Sequence, residues 1–310
     1  MYLREADQGA YRKILYFEVL LRRLIRWEAR GVHGRSWLLA LDTLQSKIEE
    51  RIQAERQLGA FNPDSSELSY LSLAELIEIV FSYLWRDCFQ QVLNNKKNIR
   101  NDPCRALNAI RNKVAHFRPI AQNDARALGG IETLFDILTL YYQENLKASA
   151  YIPGDFEVPD GQLDSEEISR LTEFLEAHDQ TSVWNEFQQL ESVRGAGLSP
   201  GIGIVSHHVF YELYTRGRFR AHLLVDCLIK NRHEITFMNV GNTANYVRIF
   251  VPIKMGARDI RKMMRKITTA AVSSVDERPF CSLDVAREFD LGYLESLGAD
   301  QTNLYFGFVF

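Results

Sequence analysis

Apolar side chains return at helical spacing through the first half of the chain, which places them on one face of successive helices. Ile14, Phe17, Val19, Leu20, Leu21, Leu24 and Ile25 make a first wide stripe, and Leu38, Leu41, Leu44, Ile48 and Ile52 repeat it between Trp37 and Leu58. Two long helices are predicted, with an interruption around Gly31–Gly34. Asn62-Pro63-Asp64-Ser65-Ser66 reads as a loop. Ser72, with Glu75 three residues on, has the spacing of a capping box that opens an apolar helix to Leu93. Asp102 then caps a helix with Pro103 at its first position, continuing from Cys104 to Phe117. Pro119 ends it, because Arg118 before a proline is pushed towards extended backbone. A last apolar helix runs over Ile131–Leu146, so residues 1–148 are predicted to form an all-α helical bundle domain.

The pattern then changes twice. Residues 154–191 hold eleven acidic side chains against one base, Arg170. The turns at Ile152-Pro153-Gly154 and Pro159-Asp160-Gly161 mark a linker, and Ile168, Leu171, Phe174 and Leu175 mark an amphipathic helix after Ser165. Residues 149–192 are therefore set apart as an acidic connection. Gly195 to Gly203 reads as loop; Ile235–Val240, Tyr246–Ile253 and Leu304–Phe310 are β-branched or aromatic runs, the first two joined by Gly241–Asn245 as in a hairpin. With helices near Phe219–Lys230 and Ala257–Ala271, residues 193–310 are predicted to form a C-terminal α+β domain with a sensing or regulatory role.

Composition narrows the class. A chain of 310 residues suggests two units, and 46% hydrophobic with 25% charged residues is ordinary globular usage. Cys88, Cys104, Cys227 and Cys281 are far apart, with no CxxC pair and no histidine at metal-ligand spacing, so free thiols in a reducing compartment are expected. Met1–Ala10 has no apolar segment of the kind that marks a secretory signal, and the apolar runs Leu76–Leu84 and Ala221–Ile229 are short of a membrane span. A cytoplasmic protein with no membrane partner is the expectation.

The candidate chemistry lies on the helix that begins at Pro103. On a wheel of about 100° per residue, Ala106, Leu107, Val114 and Phe117 gather around Ile110 as a core face. Asn108, Asn112 and His116 stack at i, i+4 and i+8 on the polar side, with Arg111 on the same arc about 140° from His116. Arg111-Asn112-Lys113-Val114-Ala115-His116, on a late helix of a helical half and after Ala106-Leu107-Asn108-Ala109-Ile110, resembles the Arg, four to six residues, His motif of the HEPN superfamily. The resemblance covers roughly residues 11–147 and is closest to the HEPN domains of prokaryotic toxin and antiviral defence proteins. It implies a homodimer in which two motifs meet to form one metal-independent RNA-cleaving site, with no cofactor. His116 would then move a proton at the RNA 2′-hydroxyl or the leaving oxygen, Arg111 would hold the scissile phosphate, and Asn112 would orient the histidine or donate to a phosphate oxygen.

Charge around the motif points the same way. Arg86, Lys96, Lys97, Arg100, Arg105, Arg111, Lys113 and Arg118 stand against Asp87 and Asp102, an excess of six positive charges able to attract a polyanion. Lys96, Lys97, Arg100, Arg105, Lys113 and Arg118 are the candidate RNA-binding residues, and a solvated surface is the competing reading of each. His207-His208 beside Tyr211 and Glu212, and His222 with Asp226, lack further ligands at metal spacing, so no metal is expected. Gly195-x-Gly197 and Gly201-x-Gly203 lack the preceding strand of a nucleotide-binding fingerprint. Lys254, Arg258, Arg261, Lys262, Arg265 and Lys266 against Asp259 make a basic helix that suits nucleic acid, the acidic 154–191 segment, or solvent. The expectation is an endoribonuclease toxin or antiviral effector held by an antitoxin or an activating partner through the C-terminal domain. The alternative is a non-catalytic HEPN-like module for dimerisation and for binding nucleic acid or protein.

Overall fold

The computed structural model describes residues 5–58, 67–93, 103–116, 118–124, 126–129, 138, 150–152, 198–205, 207–215, 217–220, 224, 230–231, 233–240, 246–276, 300–302 and 307–309. By their contacts the residues divide into two units, one of Met1–Ala29 with Ser36–Asn145 and one of Arg30–Arg35 with Leu146–Phe310. The first is helical, and the second is built on an antiparallel sheet. Among the described residues no helix is long and apolar enough to cross a membrane.

The first unit takes in α1 (Glu5–His33) as far as Ala29. From Leu20 to Ala29 every residue of this helix except Arg22 is buried, including Arg23, Arg26 and Glu28. An amphipathic stripe therefore becomes a helix buried around most of its circumference, with charged groups taken inside. Such charges need partners; the Arg26 guanidinium lies 3.9 Å from Glu67. The predicted helix over Trp37–Leu58 begins later than its apolar pattern. Gly34, at φ 61°, turns the chain into a 3-10 segment over Gly34–Leu41, and Asp42 at φ 46° separates that from α2 (Thr43–Leu58). Both are left-handed positions that end a right-handed helix.

Ser72 caps α3 (Leu73–Glu78) by accepting from the Glu75 N–H, while the Glu75 carboxylate accepts the Ser72 N–H at 2.8 Å, completing the capping box. Arg51 of α2 grips the same carboxylate through two hydrogen bonds of 2.9 Å. Burial pushes the Glu75 carboxyl up, but the hydrogen bonds from Arg51 and Ser72 and the Arg51 charge outweigh it and bring the pKa down to about 2. Beyond α3 the helix loosens into π turns over Ile79–Tyr83 and Trp85–Phe89 around Leu84, and closes as α4 (Gln90–Val92). The rings of Phe81 and Trp85 stack across this loosened stretch at 5.8 Å. The motif helix, α5 (Pro103–Ala115), starts at Pro103 and packs on α3. The predicted helix over Ile131–Leu146 lies outside the described residues apart from Leu138, which is buried.

In the second unit the sheet is ordered β1 (Ala150–Ile152), β2 (Leu198–Val205), β3 (His208–Thr215), β6 (Tyr246–Pro252), β5 (Phe237–Val240), β9 (Gly307–Val309), β8 (Asp300–Thr302), with all neighbours antiparallel. β5 and β6 form the expected hairpin, registered through Val240 opposite Val247. The loop expected over Gly195–Gly203 is corrected, because Leu198 onwards is strand. Gly201 and Gly203 sit opposite Glu212 and Phe210, so the large side chains on that face come from β3 and β6 instead. There Phe210 and Phe250 meet at 5.6 Å, and the Arg248 guanidinium lies 4.6 Å over the Phe210 ring while its Nε donates to Glu212. Glycine-rich turn chemistry and a glycine strand against bulky neighbours look alike in one dimension.

The opposite face carries Ile202, Tyr211, Leu213 and Ile249, all buried. It is covered by α6 (Ala257–Ser274), whose Ile260, Met263, Met264, Ile267 and Ala271 are buried and whose Thr268 hydroxyl meets the Tyr211 hydroxyl at 2.9 Å. The helix expected near Phe219–Lys230 starts too early, since Arg218–Phe219 is a short strand, β4, paired with β7 (Val275–Asp276). The last turn of α1, from Arg30 on, is itself part of this unit. Arg30 donates to the Ile235 carbonyl, and a Cβ on Gly31 would stand 2.8 Å from the His207 Cβ. His208 is fully buried beside Thr236, and burial together with His207 and Arg30 holds its pKa well below the ordinary histidine value.

Candidate functional site

Helix α5 positions the motif by burying its other side. Leu107 and Ile110 are fully buried, and Ala106 and Val114 are half-buried. Their anchoring turns the polar arc outward: Asn112 and His116 are exposed, Asn108 half-buried, and Arg111 41% exposed at its side chain. His116 lies one residue past the end of α5, with its backbone N–H donated to the Asn112 carbonyl at 3.2 Å. The Arg118 N–H closes the terminus on the Lys113 carbonyl at 2.8 Å.

Two of the candidate cations are already engaged inside this unit. Arg111 Nε stands 3.7 Å from the Glu18 carboxylate of α1, which is itself 3.5 Å from Arg22. Lys113 Nζ donates to both oxygens of Asp124 at 2.7 Å, and the Ala121 N–H binds the same carboxylate at 2.8 Å. The Lys113 hydrogen bond, then that of Ala121, hold the Asp124 carboxyl below its usual range. Neither Glu18 nor Asp124 carried a signal in the sequence, where each is one more acid on a polar helix face.

The remaining candidates divide as follows. Arg118 is exposed just beyond α5, and Arg105 belongs to α5 with its side chain outside the described residues. Lys96, Lys97 and Arg100 also lie outside them. Among the described residues no hydrogen bond or ion pair joins Arg111 to His116. The structure brings Arg111 to Glu18 and leaves Asn112, His116 and Arg118 presented to solvent at the C-terminal end of one helix. Such a surface offers an imidazole and guanidinium groups to an anionic ligand, with amide hydrogen bonding beside them.

The second weighed cluster, His207-His208 with Tyr211 and Glu212, is separated by the pleat. His208 and Glu212 fall on one face of β3 and Tyr211 on the other. Among the described residues no group of three or more His, Cys, Asp or Glu side chains is placed to hold a metal ion. Comparison of the chain with protein-family models, with curated proteins and with solved structures gives no match.

Proposed function

We propose that the chain is a metal-independent endoribonuclease of the HEPN type that works as a homodimer and serves as a toxin or antiviral effector. The observation that supports this reading is the presentation to solvent of Asn112 on α5 and of His116 just past its end, with Arg111 on the same helix. In this mechanism the RNA 2′-hydroxyl attacks the adjacent phosphorus. The bond to the 5′-oxygen breaks, leaving a 2′,3′-cyclic phosphate and a 5′-hydroxyl. His116 takes the proton from the nucleophile or gives one to the leaving oxygen, and Arg111 stabilises the extra negative charge on the phosphoryl oxygens. Because Arg111 and His116 diverge by about 140° around the helix, the second protomer supplies the facing half of the site.

The alternative is a binding module without catalysis. The Arg111–Glu18 and Lys113–Asp124 pairs favour it, since they give two motif-region cations a structural use. Incubation with RNA in EDTA separates the two. The nuclease reading expects cleavage by the wild type, cyclic-phosphate ends, loss of cleavage in Arg111→Ala and His116→Ala, and falling specific activity on dilution below the dimer's dissociation constant. Wild-type protein that leaves RNA intact, or variants that cut as well as it does, would sink it.

A further inference from the structure

His116 lies one residue past Ala115, where α5 ends. Its place is therefore set by the turn that follows the helix as well as by the helix itself. That turn contains Pro119, which has no N–H to donate and which pushes the residue before it towards extended backbone. A catalytic imidazole in such a place has to be held from both sides, because displacing a reacting group by about 1 Å costs on the order of 100-fold in rate.

Lys113 closes the turn twice. Its carbonyl accepts the Arg118 N–H at 2.8 Å. Its ammonium reaches Asp124, eleven residues on, and donates to both carboxylate oxygens at 2.7 Å. Asp124 accepts the Ala121 N–H at 2.8 Å as well. Residues 122–124 are helical, so Asp124 stands in the first turn of a new helix and reaches back to the residue before it, as one half of a capping box does. Each charge suits its end: Lys113 is in the last turn of α5, where the helix dipole is negative, and Asp124 is where the next dipole is positive.

Global stability does not account for the pair. The Lys113 side chain is 37% exposed and that of Asp124 15%, and ion pairs with so exposed a partner contribute little to folding. Its effect is local, on the conformation of the turn between the two charges, which presents His116 and Arg118 to solvent. A phosphate would have to break this pair to recruit Lys113, since two of the three ammonium N–H groups already point at Asp124.

We propose that Lys113 and Asp124 are positioning residues, whose ion pair closes the turn that carries His116 and fixes where its imidazole stands relative to α5. The catalytic consequence rests on the nuclease reading. Lys113 then acts through His116 and is not a ligand of the RNA. The test uses the full chain with RNA in EDTA and reads kcat and KM separately for Asp124→Asn, Lys113→Met and their combination. Each single variant is expected to lose about 10- to 100-fold in kcat, with KM within about twofold of the parent. The double variant is expected to lose no more than the worse single, because both changes remove one interaction. Asp124→Glu keeps the carboxylate and is expected to keep most of kcat.

A phosphate-binding Lys113 gives different signs: Asp124→Asn frees the ammonium and lowers KM, and Lys113→Met raises KM. Amide exchange, read by mass spectrometry on peptides covering 113–124, is expected to quicken about tenfold in Asp124→Asn with the rest of the chain unchanged. Circular dichroism and urea midpoints establish that the variants fold. If Asp124→Asn does not, Lys113→Met carries the same expectations for kcat, KM and exchange. Wild type that cuts RNA beside folded variants with unchanged kcat overturns this proposal and leaves the nuclease standing, as does a lower KM in Asp124→Asn. Wild type that leaves RNA intact overturns the nuclease reading, and the catalytic role of the pair with it. Unchanged exchange overturns the closure of the turn whether or not RNA is cut.

Discussion

Replacing Glu18 by Gln tests whether Arg111 is held in reserve for a phosphate. Glu18 is 13% exposed and lies 3.7 Å from Arg111 and 3.5 Å from Arg22. At these separations the bare attraction is ~4 kcal/mol per pair at a surface-like effective dielectric. Arg111 is 41% exposed, however, so screening and side-chain entropy reduce its share to ~0.5–1 kcal/mol. A phosphate that recruits Arg111 must displace this pairing, and Glu18→Gln removes the competition. In a His116→Ala background, RNA affinity is expected to tighten by about two- to fivefold. Stability is expected to fall by ~1 kcal/mol, because Arg22 and Arg111 then share a site with no carboxylate between them. Anisotropy with labelled RNA in EDTA reads the first effect and urea denaturation the second. The double variant Glu18→Gln with Arg111→Ala decides the cause. If it binds RNA as tightly as Glu18→Gln alone, the gain is a general charge effect and Arg111 is not the phosphate ligand.

Three further outcomes follow from the packing. The Glu75 pKa of about 2 is below that of a free carboxyl, so the Arg51–Glu75–Ser72 network stabilises fully above about pH 5 and is lost as pH falls towards 2. Glu75→Gln should remove ~1–2 kcal/mol at pH 7 in urea titrations and flatten the acid limb, and an unchanged pH profile would refute the assignment. Gly31→Ala places a methyl 2.8 Å from the His207 Cβ and 3.0 Å from the His208 ring, so a loss of ~1–2 kcal/mol is expected despite alanine's better helix propensity. A more stable variant would show that the helix end is free to move aside. Burial, then Glu28 and Asp87, push the Cys88 thiol up to about 12. Alkylation of the native protein at pH 8, mapped by mass spectrometry, should leave Cys88 unmodified until denaturant is added.

Much of the local structure was legible in one dimension. Ser72 and Glu75 were readable as a capping box because both partners lie within one helical turn, and Pro103 marked the start of α5 by its fixed φ. The hairpin β5–β6 and helix α6 followed from runs whose period matches their own geometry. Where the reading failed, the deciding neighbour was distant. Leu198–Val205 becomes a strand because β3 supplies the bulk that its glycines lack, and β3 itself, buried on both faces at the centre of the sheet, shows no clean alternation.

The candidate site divides along the same line. Sequence alone determined that Arg111, Asn112 and His116 share a polar arc and that Leu107 and Ile110 lie beneath it, since the helical period fixes both. Only the tertiary structure decided that Arg111 answers to Glu18, Lys113 to Asp124, and the last turn of α1 to Ile235 and His207. Backbone periodicity is local and written into the order of residues. Which acid meets which base depends on chain segments brought together by burial of their apolar faces, and spacing along the chain does not encode it.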